Sequence, residues 1–332
     1  MENMKEYKKD FSRIGFLYLL AYIIIMAASL VISTIAFRLR PDWYGDMNVI
    51  IVLSALPMYL IGMPILALLT RRLPGRTPQK HTMKFGQFIL AFIMCVGIMY
   101  ASNFITVAIA GLVGSLKGSP VDNTVADIAA GADTWVTFGY MVLIAPVFEE
   151  LIFRKLIVDK TLKYGQGVAI VMSGVMFGLF HGNINQCLYA ATMGMFLAFL
   201  YAKTGNIKIT IGIHMLVNFI GSIISVQVLK LIDYEGLLDI MEEPVEQQTT
   251  LLMRHIMENF PGYMIYMLYA CIIMGLMVAG VILLIVYRKR FVMEPGEVAL
   301  PKGQRFKTMF LNAGMILYCL FFVGVIIEQL LE

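Results

Sequence analysis

The sequence predicts an all-α fold, a polytopic transmembrane bundle of about nine membrane segments with a core of consecutive helices around a cavity. Hydrophobic residues make up 59% of the 332 positions and charged residues 14%, against about 25% charged in an ordinary soluble domain. The mean hydropathy is +0.79. The apolar residues also gather into continuous stretches of roughly 17–25, the length that crosses a bilayer as a helix.

The first stretch, 14–37, follows a basic leader of Lys5, Lys8, Lys9 and Arg13. It is too long for a signal-peptide core and has no small-residue cleavage site, so it is read as a retained span. Further stretches lie at 49–70, 86–113, 135–153, 167–182, 187–202, 207–228, 263–287 and 308–330. The fifth and sixth are short and are expected to form a tilted hairpin that does not fully cross. The segment 229–262, with Asp233, Glu235, Asp239, Glu242, Glu243, Glu246 and Glu258 among apolar residues, is expected to be an amphipathic extracytoplasmic loop or surface helix. The organisation is therefore N-terminal spans over 1–134, a core over 135–228, the loop 229–262 and C-terminal spans over 263–332. No internal repeat, low-complexity tract or soluble domain stands out.

Charge supplies the topology. With a cytoplasmic N-terminus, the inside segments 1–13, 71–85, 154–166, 203–208 and 288–307 hold 21 of the 26 Lys and Arg. Only Arg38, Arg40, Lys117, Lys230 and Arg254 fall outside. This bias predicts N-in and, with nine spans, C-out. The two tryptophans, Trp43 and Trp135, fall at outer boundaries, where interfacial aromatics belong. Because the basic residues serve as topology signals, the net charge of +4 does not point to nucleic acid. Cys95, Cys187, Cys271 and Cys319 lie in or beside apolar segments without C-x-x-C spacing and are read as buried free thiols.

Against this background the polar residues inside the spans are conspicuous. Glu149 and Glu150 end an apolar segment, and a carboxylate in hydrocarbon costs at least about 2.5–3.5 kcal/mol. Residues four apart share a helix face, so Glu150 and Arg154 can pair and leave Glu149 facing a wet cavity, where it would suit a general base. Pro146 removes a backbone hydrogen bond nearby and would kink the helix. The plainer alternative is that both glutamates snorkel to the interface. Phe177 and His181 lie one turn apart and are followed by the polar residues Asn183, Asn185 and Gln186. His214 and Asn218 share a face of a later span. His81 and His255 lie in what read as polar loops and are given no catalytic part.

In order, the set EExxxR (Glu149, Glu150, Arg154), FxxxH (Phe177, His181) and HxxxN (His214, Asn218) resembles the CAAX-protease and bacteriocin-processing (CPBP, or Abi) intramembrane protease family. The resemblance covers about 135–228. It implies an intramembrane endopeptidase whose site opens toward the cytoplasm. Carried over by position, Glu149 would activate water with help from His181. His214 and Asn218 would stabilise the oxyanion, and Glu150, Arg154 and Phe177 would support them. The substrate would be a peptide or protein in or at the membrane, in the family's eukaryotic members a prenylated one.

The question of a cofactor stays open at this stage. H-E-x-x-H is lacking, and a glutamate–histidine mechanism without an obligatory metal is preferred. Glu149, His181 and His214 could nevertheless supply the three protein ligands of a catalytic zinc. The rival function is a non-catalytic bacteriocin-immunity or membrane scaffold protein using the same polar cluster for binding. An ion-coupled transporter is a third reading, against which the lack of inverted repeats counts. The expected location is a bacterial plasma membrane. One geometric tension remains: His181 lies about 20 Å along its helix from residue 167, whereas Glu149 and His214 lie about 10 Å or less from their cytoplasmic ends. The three meet only if the fifth segment is tilted, starts later or is drawn into the interior.

Overall fold

The computed structural model describes residues 2–298 and 300–331. The side chains of Glu235 and Glu242, two of the acidic residues of the 229–262 segment, lie outside the described set. The described residues form helices and connecting turns, without a strand. In chain order the helices are α1 (Glu2–Leu39), α2 (Met47–Thr70), α3 (Phe85–Lys117), α4 (Thr124–Gly131), α5 (Thr134–Tyr164), α6 (Gln166–Phe180) and α7 (Ile184–Thr204). There follow α8 (Ile207–Lys230), α9 (Tyr234–Glu242), α10 (Val245–Glu258), α11 (Phe260–Val286), the short α12 (Arg305–Met309) and α13 (Ala313–Leu331).

Eight of these, among the described residues, are long and apolar enough to cross a membrane. Of the nine segments the sequence predicts, the exception is α6, whose 15 residues span roughly 22 Å against a hydrocarbon thickness of about 30 Å. The fifth segment is thus short, as the sequence indicates. The sixth is not: α7 runs for 21 residues, because Asn183 caps its N-terminus by accepting from the Gln186 amide and recruits the polar turn into the helix. Lipid explains the outer helices. Only 6% of the most apolar 18-residue stretch of α11 is buried, an exposure that water would not tolerate over a whole helix.

The loops divide between two faces. On one, the basic segments tie to each other: Lys163 pairs with Asp10 at 2.6 Å, Arg76 with Glu297 at 2.5 Å and Lys203 with Glu294 at 2.7 Å. Lys203 and its hydrogen bond hold the Glu294 carboxyl below its ordinary range. On the opposite face, Asn48 joins Asp133, and both Asn185 and Gln329 donate to the Asp122 carbonyl.

α6 is the buried centre of the bundle, packed against α5, α7 and α13. It is drawn into the interior rather than left at the lipid boundary. Small residues permit this: a Cβ at Gly174 would sit 2.7 Å from the Ala191 carbonyl oxygen and 2.8 Å from the Met195 nitrogen of α7, so the two backbones approach as only glycine allows. The helices also carry widened π turns, at 57–62 in α2, 138–144 and 150–156 in α5, and 219–224 in α8. Pro146 lies between the two in α5. Such turns loosen the backbone ladder, and neighbouring side chains take up carbonyls there. Tyr18 donates to the Ile152 carbonyl at 2.7 Å, Ser173 to Phe153 at 2.7 Å and Asn218 to Met141 at 2.8 Å.

Candidate active site

Three helices bring the singled-out residues together. α5 supplies Glu149, Glu150 and Arg154, the end of α6 supplies Phe177 and His181, and α8 supplies His214 and Asn218. The two glutamates part as expected from helical geometry. Glu150 points inward, wholly buried, with Oε1 at 3.3 Å from Arg154 Nε. Glu149 is 16% exposed and lines a cavity.

Arg154 is also wholly buried, and among the described residues none of its guanidinium nitrogens makes a hydrogen bond. Its partners are the Glu150 carboxylate and the face of Phe177, whose centroid lies 4.1 Å from Cζ. A desolvated cation over an aromatic ring gains about 2 kcal/mol or more. That contact needs room from α7. A Cβ on Gly194 would lie 2.9 Å from Phe177 Cδ1 and 3.3 Å from Arg154 Nη2. Phe177 in turn packs edge-on against His181 and His214, with centroids 4.7 Å and 6.0 Å away.

Both histidines are oriented through Nδ1. His214 Nδ1 is 2.9 Å from Glu150 Oε1, and its Nε2 lies 3.6 Å from Glu149 Oε2. His181 Nδ1 is 2.8 Å from the Phe177 carbonyl. Carbonyl and carboxylate oxygens accept, which puts a proton on Nδ1 of each ring and leaves each Nε2 as the working nitrogen. Asn218 lines the same cavity with one amide proton engaged on Met141. An amide has two donor protons, so a second remains.

The cavity encloses about 1150 Å³, above the usual range for a small-molecule pocket. Its lining runs from Glu149, Phe177, His181, His214 and Asn218 along α8 to Lys230, Asp233 and Tyr234. The last three lie on the face opposite the basic loops. The buried layer of Glu150, Phe153, Arg154 and Thr210 closes the site on the basic side. A smaller cavity of about 180 Å³ does lie at the basic face, near His81, Gln166, Lys203 and Glu294, but it holds none of the site residues.

Tyr140, Tyr189 and Gln186 also line the large cavity. The sequence offers no signal for the tyrosines, which are among 16 in the chain. Gln186 belongs to a capping network: it accepts from Asn183 at 2.8 Å and donates to Tyr189 at 3.1 Å. His255 is not in a loop. It lies buried on α10, with Nε2 2.9 Å from the Ile232 carbonyl and Nδ1 3.9 Å from Asp233 Oδ2. Among the described residues no group of three or more His, Cys, Asp or Glu side chains is placed to hold a metal ion. The three-ligand zinc arrangement of Glu149, His181 and His214 is accordingly not formed.

Residues 131–220, which contain all three motifs, match a family model described as type II CAAX prenyl endopeptidase Rce1-like. Over 158 residues the chain is 30% identical to a Bacillus subtilis (strain 168) protein named "Putative membrane peptidase YdiL", covering 43% of this chain and 61% of that relative. The chain thus spans less than two thirds of the relative's length. No solved structure matches. The resemblance drawn from the motifs is borne out for this segment, with matched bounds close to the expected 135–228.

Proposed function

We propose that the chain is a membrane endopeptidase that hydrolyses a peptide bond of a membrane-embedded or membrane-associated peptide. The observation that supports this best is the convergence of Glu149, His181, His214 and Asn218 on a single cavity, while the charges that cannot face a substrate, Glu150 and Arg154, are buried behind them. In this reading residues 135–228 are the catalytic core.

The Glu149 carboxylate takes a proton from water, assisted by Nε2 of His181. The resulting hydroxide attacks the scissile carbonyl. The second amide proton of Asn218, and His214 carrying a proton on Nε2 as well as on Nδ1, then stabilise the oxyanion, and the proton held by Glu149 passes to the leaving amine as the C–N bond breaks. No step requires a metal. The match to a CAAX-type model makes a lipidated substrate one candidate class. The basic segments on one face support a cytoplasmic N-terminus in a bacterial plasma membrane, with the C-terminus outside.

The test is cleavage of a quenched-fluorescence peptide library, prenylated peptides included, by detergent-purified protein with and without a chelator. Wild type should cleave in both conditions, and Glu149→Gln should lose about 10²–10⁴ in kcat. Equal cleavage by both proteins would remove Glu149 from its role. Retention by Glu149→Gln of a biological function without cleavage would favour the immunity or scaffold reading.

A further inference from the structure

We infer that substrate reaches Glu149 from the extracytoplasmic side, as an extended peptide segment laid along one face of α8. This rests on the peptidase reading and adds the route and form of the substrate. His214, Asn218, Ser222, Ser225 and Leu229 recur every three or four residues and all line the cavity, so a single stripe of α8 forms one wall from the site to the mouth. From His214 to Leu229 that stripe rises roughly 20 Å at about 1.5 Å per residue. An extended chain advances about 3.3 Å per residue, so six or seven residues fill the distance.

The adjoining wall supports a peptide over a lipid chain. It presents Tyr100 and Asn103 from α3 and Tyr266 and Tyr269 from α11, and it meets α8 at Tyr269, whose hydroxyl donates to the Ile220 carbonyl at 3.3 Å and lies 3.5 Å from that of Tyr100. Ser222 and Ser225 donate to the Asn218 and Gly221 carbonyls of their own helix, so with these side chains they leave hydroxyl oxygens along the channel that a peptide N–H can use and a hydrocarbon cannot.

The other direction is closed twice. Behind the site lies the wholly buried layer of Glu150, Phe153, Arg154 and Thr210. Below it the connection between α11 and α12 is tied across the base of α6, with the Gln166 amide on the Glu294 carbonyl at 3.1 Å and the Val298 amide on the Lys163 carbonyl at 2.9 Å. That closed side carries the basic loops, which the charge bias assigns to the cytoplasm. The mouth therefore faces outward.

The experiment uses full-length chain in right-side-out and inverted membrane vesicles, with a membrane-impermeant maleimide. Wild type sets the background from the native cysteines. Ser222→Cys and Ser225→Cys should gain label in right-side-out vesicles, and Gly303→Cys, on the basic face, in inverted ones. Labelling of the channel cysteines from the same side as Gly303→Cys would overturn the inference. So would undiminished peptide cleavage after a bulky maleimide has saturated Ser225→Cys. Channel labelling from outside, with no peptide cleaved by wild type, would leave the sidedness standing and remove the peptidase reading instead.

Discussion

His214 Nδ1 lies 2.9 Å from Glu150 Oε1, so the buried carboxylate decides which imidazole nitrogen faces the cavity. In the proposed peptidase Glu150 would act on the reaction through another residue, as a positioning group. Glu150→Gln should lower kcat by about 10²–10⁴, the range for a misoriented histidine, with KM little changed. Steady-state kinetics checks this. An unaltered kcat in a folded variant would show that the contact orients nothing.

The same carboxylate also neutralises Arg154, which allows the two roles to be separated. Arg154→Met should destabilise the protein by about 3–5 kcal/mol, since it leaves a buried carboxylate uncompensated. Adding Glu150→Gln to Arg154→Met should restore much of that stability without restoring kcat. Equilibrium unfolding in detergent reads the first quantity and peptide hydrolysis the second. Lysine at 154 should rescue poorly, because it lacks the planar group that stacks on Phe177.

Gly194 faces Phe177 Cδ1 and Arg154 Nη2 at the distances where a methyl group does not fit. Gly194→Ala should cost about 1–3 kcal/mol through overpacking. It should also reduce kcat, because Phe177 is wedged against both histidines. A variant as stable and active as wild type would contradict the close packing of α6 and α7.

Asn218 offers a contrast between support and chemistry. Its bond to the Met141 carbonyl ties α8 to α5, and Asn218→Leu should cost roughly 0.6–1.5 kcal/mol for that contact. If the second amide proton serves the oxyanion, kcat should fall by a further 10²–10³ or so. A loss of stability matched by no change in kcat would leave Asn218 a structural residue alone.

Tyr18 reaches from α1 to the Ile152 carbonyl in the widened turn that contains Arg154. Tyr18→Phe should destabilise by about 0.6–1.5 kcal/mol, with a modest fall in kcat, measured by thermal unfolding and hydrolysis side by side. An unchanged unfolding temperature would mean that lipid or water satisfies that carbonyl equally well.

The helical membrane class is legible in the amino-acid order alone, since within such long apolar segments a helix satisfies every backbone group. Charge bias sorted the basic loops to one face, and i,i+4 spacing separated Glu150 from Glu149 and paired it with Arg154. The motif spacing marked out His181, His214 and Asn218 for the same reason: each is costly in hydrocarbon unless it has a partner. What it left undecided depended on contacts between segments far apart in the chain. Three ways of bringing His181 to Glu149 were compatible with the sequence, and the packing of α6 against α7 through Gly174 selected burial in the interior. The partner of His214 Nδ1 lies 64 positions away, so no local pattern reveals it. The direction in which the cavity opens was likewise a tertiary outcome. The lining of that cavity comes from helices far apart in the chain, α3, α8 and α11 among them, and local sequence does not say how they pack.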